Sequence, residues 1–129
     1  MEYQELVDKA IEAKQNSYSP YSNFKVGAAL LAKSGEVYLG TNIENASYGL
    51  TICAERTALF KAVSEGEKEF VSIAINCETD SFNYAFPCGA CRQVIAEFLS
   101  DDADVIVSIR SGEFKVYKVK DLLPNAFRL

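Results

Sequence analysis

Cys53-Ala54-Glu55 is followed thirty-five residues later by Cys88, the second residue of Pro87-Cys88-Gly89-Ala90-Cys91. Three thiols and a carboxylate in two short blocks suit a zinc ion. Cys88 and Cys91 are three apart, so on a helix they share a face and can reach one ion. Cys53 and Glu55 are two apart and would diverge in mid-helix. In a first turn, where side chains tilt toward the helix start, they can converge on an ion above it. Zinc takes cysteine thiolates in tetrahedral geometry, and three protein ligands leave a fourth position open, which is what makes such a metal reactive. A water placed there needs a base to take its proton and later an acid to return it, and Glu55 can serve as both.

Three thiolates around a divalent zinc leave a formal charge of about minus one, which weakens the metal as an acid unless positive potential offsets it. Two helix amino ends, each worth roughly half a positive charge, supply part of this, and their amides can donate to sulfur. Arg56, and Arg92 with Gln93, stand beside the cysteines and are candidates to hydrogen-bond the thiolates. Each residue also has a plainer reading. Glu55 can simply complement a helix dipole, and Arg56 can face solvent. Cys88 and Cys91 can form a redox pair. Cys77, after the apolar run Phe70-Val71-Ser72-Ile73-Ala74-Ile75, reads as a buried small residue, with a fourth zinc ligand as the alternative.

The surrounding chain must bring the two blocks together. Its 129 residues, 49% of them hydrophobic, predict one domain spanning 1–129 with a single packed core. Thirteen Lys and Arg against eighteen Asp and Glu give a net charge of minus 5, which argues against a nucleic-acid partner. The start Met1-Glu2-Tyr3-Gln4-Glu5 lacks the basic and apolar regions of a signal peptide, and no apolar run reaches membrane-spanning length. A cytoplasmic protein with no membrane partner is expected. In that reducing compartment four cysteines favour metal binding or chemistry over disulfides.

Tyr3, Leu6, Val7, Ala10 and Ile11 recur at helical spacing, and this first helix must end before Ser19-Pro20. Strands are predicted over Phe24 to Ala32 and Glu36 to Ile43, joined so briefly by Lys33-Ser34-Gly35 that they form an antiparallel hairpin. If the second strand continues, Asn42 and Glu44 share its parity and point to one side. A helix follows Cys53 and ends near Gly66. Phe70 to Ile75 reads as a central strand, and a second helix begins near Pro87. Val105 to Ile109 and Phe114 to Val119 make another antiparallel hairpin, before a helical turn at Asp121-Leu122-Leu123. This order predicts an α/β fold, a three-layer α/β/α arrangement with a five-stranded mixed sheet. Both cysteine blocks then lie at the strand ends where open sheets place ligands.

The chain resembles the homotetrameric class of cytidine deaminases over nearly its whole length. The likeness rests on Ser19-Pro20-Tyr21-Ser22 with Phe24-Lys25-Val26-Gly27-Ala28-Ala29-Leu30, on Asn42-Ile43-Glu44-Asn45-Ala46, on the two cysteine blocks with Arg56-Thr57-Ala58 and Arg92-Gln93, and on Leu122-Leu123-Pro124 before Phe127. The resemblance implies one Zn2+ per subunit on Cys53, Cys88 and Cys91, with activated water attacking C4 of cytosine. Glu55 moves the protons, and cytidine or 2'-deoxycytidine becomes uridine or 2'-deoxyuridine plus ammonia, in pyrimidine salvage. It further implies substrate contacts from Phe24, Asn42, Glu44, Ala54, Tyr48 and Phe127, and a homotetramer whose neighbouring subunits complete each site. A nucleic-acid deaminase would typically carry histidine in place of Cys53, and the chain has none. A deaminase of cytosine-bearing antibiotics fits the Phe24 and Asn42 to Glu44 segments less well. Glu44 facing the sugar would accept from a hydroxyl and repel a phosphate, so the nucleoside is expected to be preferred over its monophosphate.

Overall fold

The computed structural model describes residues 1–80 and 83–129. Helix α1 (Tyr3–Ala13) runs into a short 3-10 turn (Lys14–Asn16). Strands β1 (Val26–Ala32) and β2 (Val37–Thr41) form the first hairpin. A second 3-10 turn (Tyr48–Leu50) leads to α2 (Ala54–Ser64), β3 (Phe70–Cys77), α3 (Gly89–Phe98), β4 (Asp104–Ser108), β5 (Phe114–Lys118) and α4 (Val119–Leu122). The sheet order is β2-β1-β3-β4-β5; β3 and β4 are parallel and the other neighbours antiparallel.

Strand alternation sorts the core into two layers. Ala29, Ala74 and Ile106 pack with Leu6, Val7 and Ala10 of α1. Ala28, Leu30, Ile73, Ile75, Val105 and Val107 face α2, α3 and α4. The arrangement is the expected three-layer α/β/α fold, with the apolar run of β3 at its centre. Each fully buried Leu, Ile or Val contributes about 1.5–3 kcal/mol over its exposed state. In α1, Ala13 is buried while Tyr3 is 42% exposed, so the buried stripe is displaced from the predicted one. No helix of the described residues is long and apolar enough to cross a membrane.

Two departures from the predicted boundaries bear on the site. Strand β2 stops at Thr41, because the Asn42 side chain turns inward to the backbone of Phe24 and Val26 while Ile43 bridges Tyr18 and Ile52. Helix α3 begins at Gly89, with Pro87 ahead of it and Cys88 as its cap. Gly66 does end α2: its φ of +100° is open to glycine at no steric cost, and its amide bonds to the Val63 carbonyl.

Candidate active site

Cys53 caps α2 and Cys88 caps α3, each in extended backbone, and Cys91 is the third helical residue of α3. The three sulfurs therefore gather where two positive helix ends meet. Cys53 Sγ lies 3.9 Å from Cys88 Sγ, which lies 3.5 Å from Cys91 Sγ, and all three are within 4.8 Å of one another. Tetrahedral zinc with bonds of about 2.3 Å holds its sulfurs roughly 3.8 Å apart. The thiols are thus preset to the spacing that zinc requires.

The expected support for their charge comes from fewer groups than the sequence offered. Arg56 Nη2 donates to Cys53 Sγ at 3.5 Å. A hydrogen bond from Cys91, aided by the Arg56 guanidinium, draws the Cys53 thiol down to about 5. That same bond to Cys53, together with burial, pushes Cys91 well above the ordinary thiol range. Neither cap sulfur accepts a helix amide hydrogen bond, so the helices act through their dipoles alone. Gln93 does not serve the thiolates: its Nε2 donates to the Phe127 carbonyl at 3.0 Å, because the carboxyl-terminal tail crosses α3 there. Arg92 is likewise spent on the carbonyls of Pro87 and Leu122.

Beside the sulfurs lies a cavity of about 470 Å³, within the size range of small-molecule sites. Phe24, Asn42, Glu44, Cys53, Ala54 and Glu55 all line it. Glu55, the second residue of α2, is 4% exposed, and burial pushes its carboxyl up to about 7. A carboxyl so placed exchanges protons readily near neutral pH. Cys77 also lines the wall but stands apart from the metal cluster, its Sγ 3.4 Å from Thr79 Oγ1 and 3.7 Å from the Ser108 carbonyl. The closed four-cysteine alternative is thereby excluded, and the buried reading of Cys77 holds.

Asn42, which also lines the cavity, is 8% exposed and largely committed. Its Oδ1 accepts from Ser17 Oγ and from the Val26 amide, and its Nδ2 donates to the Phe24 carbonyl at 2.7 Å. Glu44 Oε1 accepts from the amides of Tyr21 at 2.9 Å and Ser22 at 3.2 Å, while Oε2 accepts from the Ser22 hydroxyl. The Ser22 hydroxyl first, and the two amides with it, hold the Glu44 carboxyl below its usual range.

Tyr48 and Phe127, 76% and 70% exposed, are absent from the cavity lining among the described residues. Tyr48 instead meets Tyr21 edge-on, with ring centroids 6.1 Å apart. The sequence reading assigned no role to Ser22 or Gly40. Ser22 could have been suspected from its place two residues before Phe24, whose amide it accepts at 3.0 Å. Gly40, in β2, lies against Ala54 and Ala58 of α2, and no local signal marks it. Tyr84 and Phe86 also line the cavity and were not foreseen.

Comparison with known proteins gives a consistent result. Residues 1–108 match the family described as "Cytidine and deoxycytidylate deaminase zinc-binding region". The chain is 53% identical over 127 residues to a cytidine deaminase of Halalkalibacterium halodurans, covering 98% of this chain and 95% of that one. The crystal structure of a cytidine deaminase from Burkholderia pseudomallei superposes with a TM-score of 0.93 at 47% identity, covering 98% of this chain and 100% of the other. That of Mycobacterium tuberculosis gives 0.86 at 36% identity, covering 100% and 99%.

Proposed function

Because the chain belongs to the cytidine and deoxycytidylate deaminase zinc-binding family, with Cys53, Cys88 and Cys91 holding the zinc, we propose that it hydrolyses cytidine and 2'-deoxycytidine to uridine and 2'-deoxyuridine with release of ammonia. The observation that carries this reading is the three-sulfur cluster at zinc spacing with buried Glu55 beside it in one cavity. When bound, zinc supplies the Lewis acidity that makes water a competent nucleophile near neutral pH.

The chain's own groups do the rest. Glu55 takes one proton of the attacking water and passes it to N3 of the ring, then moves the remaining hydroxyl proton to the amino group, so that the C4–N bond breaks, ammonia leaves and C4 keeps the oxygen as a carbonyl. Its raised pKa suits a residue that must both accept and return a proton. Arg56 moderates the excess negative charge of the three thiolates. Phe24 packs on the pyrimidine and Ala54 borders it. Asn42 and Glu44, which line the same cavity, take the sugar hydroxyls. Glu44 stays ionised, so a phosphate near it is repelled and the nucleoside is preferred over its monophosphate.

Two exposed aromatics support a reading of the assembly: Phe127, away from the cavity lining, and Tyr48, in an adjoining recess with Ser22 and Glu44. We read the protein as a homotetramer in which Phe127 and Tyr48 of neighbouring copies close the base pocket, which would also cover their exposed rings. We further read residues 1–129 as one catalytic domain working in cytoplasmic pyrimidine salvage, a reducing setting that suits cysteines serving a metal.

The test is ammonia release from cytidine, deoxycytidine, cytidine monophosphate and a cytosine-bearing oligonucleotide, with zinc measured alongside. Both nucleosides should turn over and the other two should lag. Glu55→Gln should keep its zinc and lose about 10²–10⁴-fold in kcat. Equal turnover of the oligonucleotide, or a fully active Glu55→Gln, would overturn the reading.

A further inference from the structure

Two of the proposed substrate contacts meet at one hydroxyl. Ser22 Oγ donates to Glu44 Oε2 and accepts the Phe24 amide at 3.0 Å, and the Ser22 amide donates to Glu44 Oε1 at 3.2 Å. The carboxylate thus takes three bonds from Tyr21 and Ser22, and Ser22 supplies two of them. Ser22, Phe24 and Glu44 line the same cavity, and the hydroxyl links the Phe24 backbone to the acceptor expected for the sugar.

Asn42 narrows what that sugar contact must be. Both bonds to its Oδ1 come from protein donors, and one Nδ2 hydrogen is committed to the Phe24 carbonyl. Its remaining Nδ2 hydrogen can only donate, whereas the ionised Glu44 can only accept. A group bridging the two must accept and donate together, as a hydroxyl does and a hydrogen, fluorine or ether oxygen does not.

We propose that Ser22 is a positioning residue that aims the Glu44 carboxylate at the 2'- or 3'-hydroxyl of the sugar, and so makes the enzyme selective for a sugar that keeps one. The proposal rests on the nucleoside reading given above. Glu44 is half-buried and its carboxylate is held by a short exposed loop, so its direction depends on these bonds. A carboxylate free to rotate would pay an entropic cost at each binding event.

The test is a cycle between the protein side chain and the substrate hydroxyls. Zinc-loaded wild type, Ser22→Ala and Ser22→Thr are assayed with cytidine and with 2',3'-dideoxycytidine, reading kcat and KM separately and zinc content per chain. Ser22→Ala should raise KM for cytidine about tenfold, with kcat within about twofold and zinc unchanged. Ser22→Thr, which keeps the hydroxyl, should restore most of the loss. With the dideoxynucleoside, Ser22→Ala and wild type should agree within about twofold, because the 2'- and 3'-hydroxyls at which Glu44 would be aimed are missing.

An equal loss on both substrates would make Ser22 a merely structural residue and overturn the proposal. Should Ser22→Ala fail to retain zinc, Ser22→Cys, which keeps the volume with a weaker donor, is read by the same criteria. Equal kcat/KM for the two nucleosides in wild type would also overturn the proposal while leaving the deaminase intact. Absence of turnover of either nucleoside by zinc-loaded wild type would instead strike the nucleoside reading itself.

Discussion

Gly40 sits in β2 under the first turn of α2, the turn that carries Cys53 as its cap and Glu55 as its second residue. A Cβ built there would stand 2.5 Å from the Ala54 carbonyl oxygen and 2.9 Å from Ala58 Cα, against ordinary contact from 3.4 Å. These are backbone atoms of a helix, so no side-chain rotation relieves the clash. Gly40→Ala must push the turn back by about 0.9 Å. Overpacking of this kind costs about 1–3 kcal/mol, which for a chain of this size lowers Tm by roughly 5–15 °C. A displacement near 1 Å at catalytic groups costs about 10²-fold in rate. The comparison variant is Gly66→Ala, at the far end of the same helix, where the Cβ meets nothing but φ is +100°. That strain costs about 1–2 kcal/mol without moving the first turn. Melting curves and kcat/KM for cytidine decide the matter: both variants should melt lower, and only Gly40→Ala should lose activity. An unaltered kcat/KM in Gly40→Ala, or an equal loss in Gly66→Ala, would refute the claim that glycine at 40 sets the position of the catalytic turn.

Two further outcomes follow from the charges. Arg56→Ala removes the donor that favours the Cys53 thiolate, so zinc affinity should fall about 10–100-fold. In acid titrations read with a chromogenic chelator, the metal should leave at higher pH than in wild type; identical release curves would leave Arg56 without that role. Glu44 has its pKa lowered chiefly by the Ser22 hydroxyl, so the binding-competent carboxylate is present above the depressed value and is lost only as pH falls through it. KM for cytidine in wild type should therefore stay flat from neutrality to about pH 5. In Ser22→Ala, where the charged form loses its main stabiliser, the rise should begin at higher pH, and superimposable profiles would contradict the assignment.

How much of the site can be read from sequence depends on whether a residue acts by its chemistry or by its surroundings. Cys53, Cys88, Cys91 and Glu55 were legible because zinc constrains both ligand type and spacing, and the hairpins because connections as short as Lys33-Ser34-Gly35 leave the chain little choice. Gln93 was misread for the opposite reason. A long polar side chain goes where a partner waits, and its partner is the carbonyl of Phe127, thirty-four residues away. Asn42 lines the cavity, yet its inward commitment to Ser17, Phe24 and Val26 emerges only when the segment 17–26 folds back along the end of β2. The same folding hides Ser22, whose partner Glu44 is twenty-two residues on. Local pattern therefore finds the groups that break and make bonds, while the groups that aim them are found through tertiary contacts. On the proposed reading, reactivity is a property of two helix caps, and choice of substrate belongs to the loop that holds Asn42 and Glu44. Changes confined to residues 17–24 should thus alter what the enzyme accepts while leaving its zinc in place.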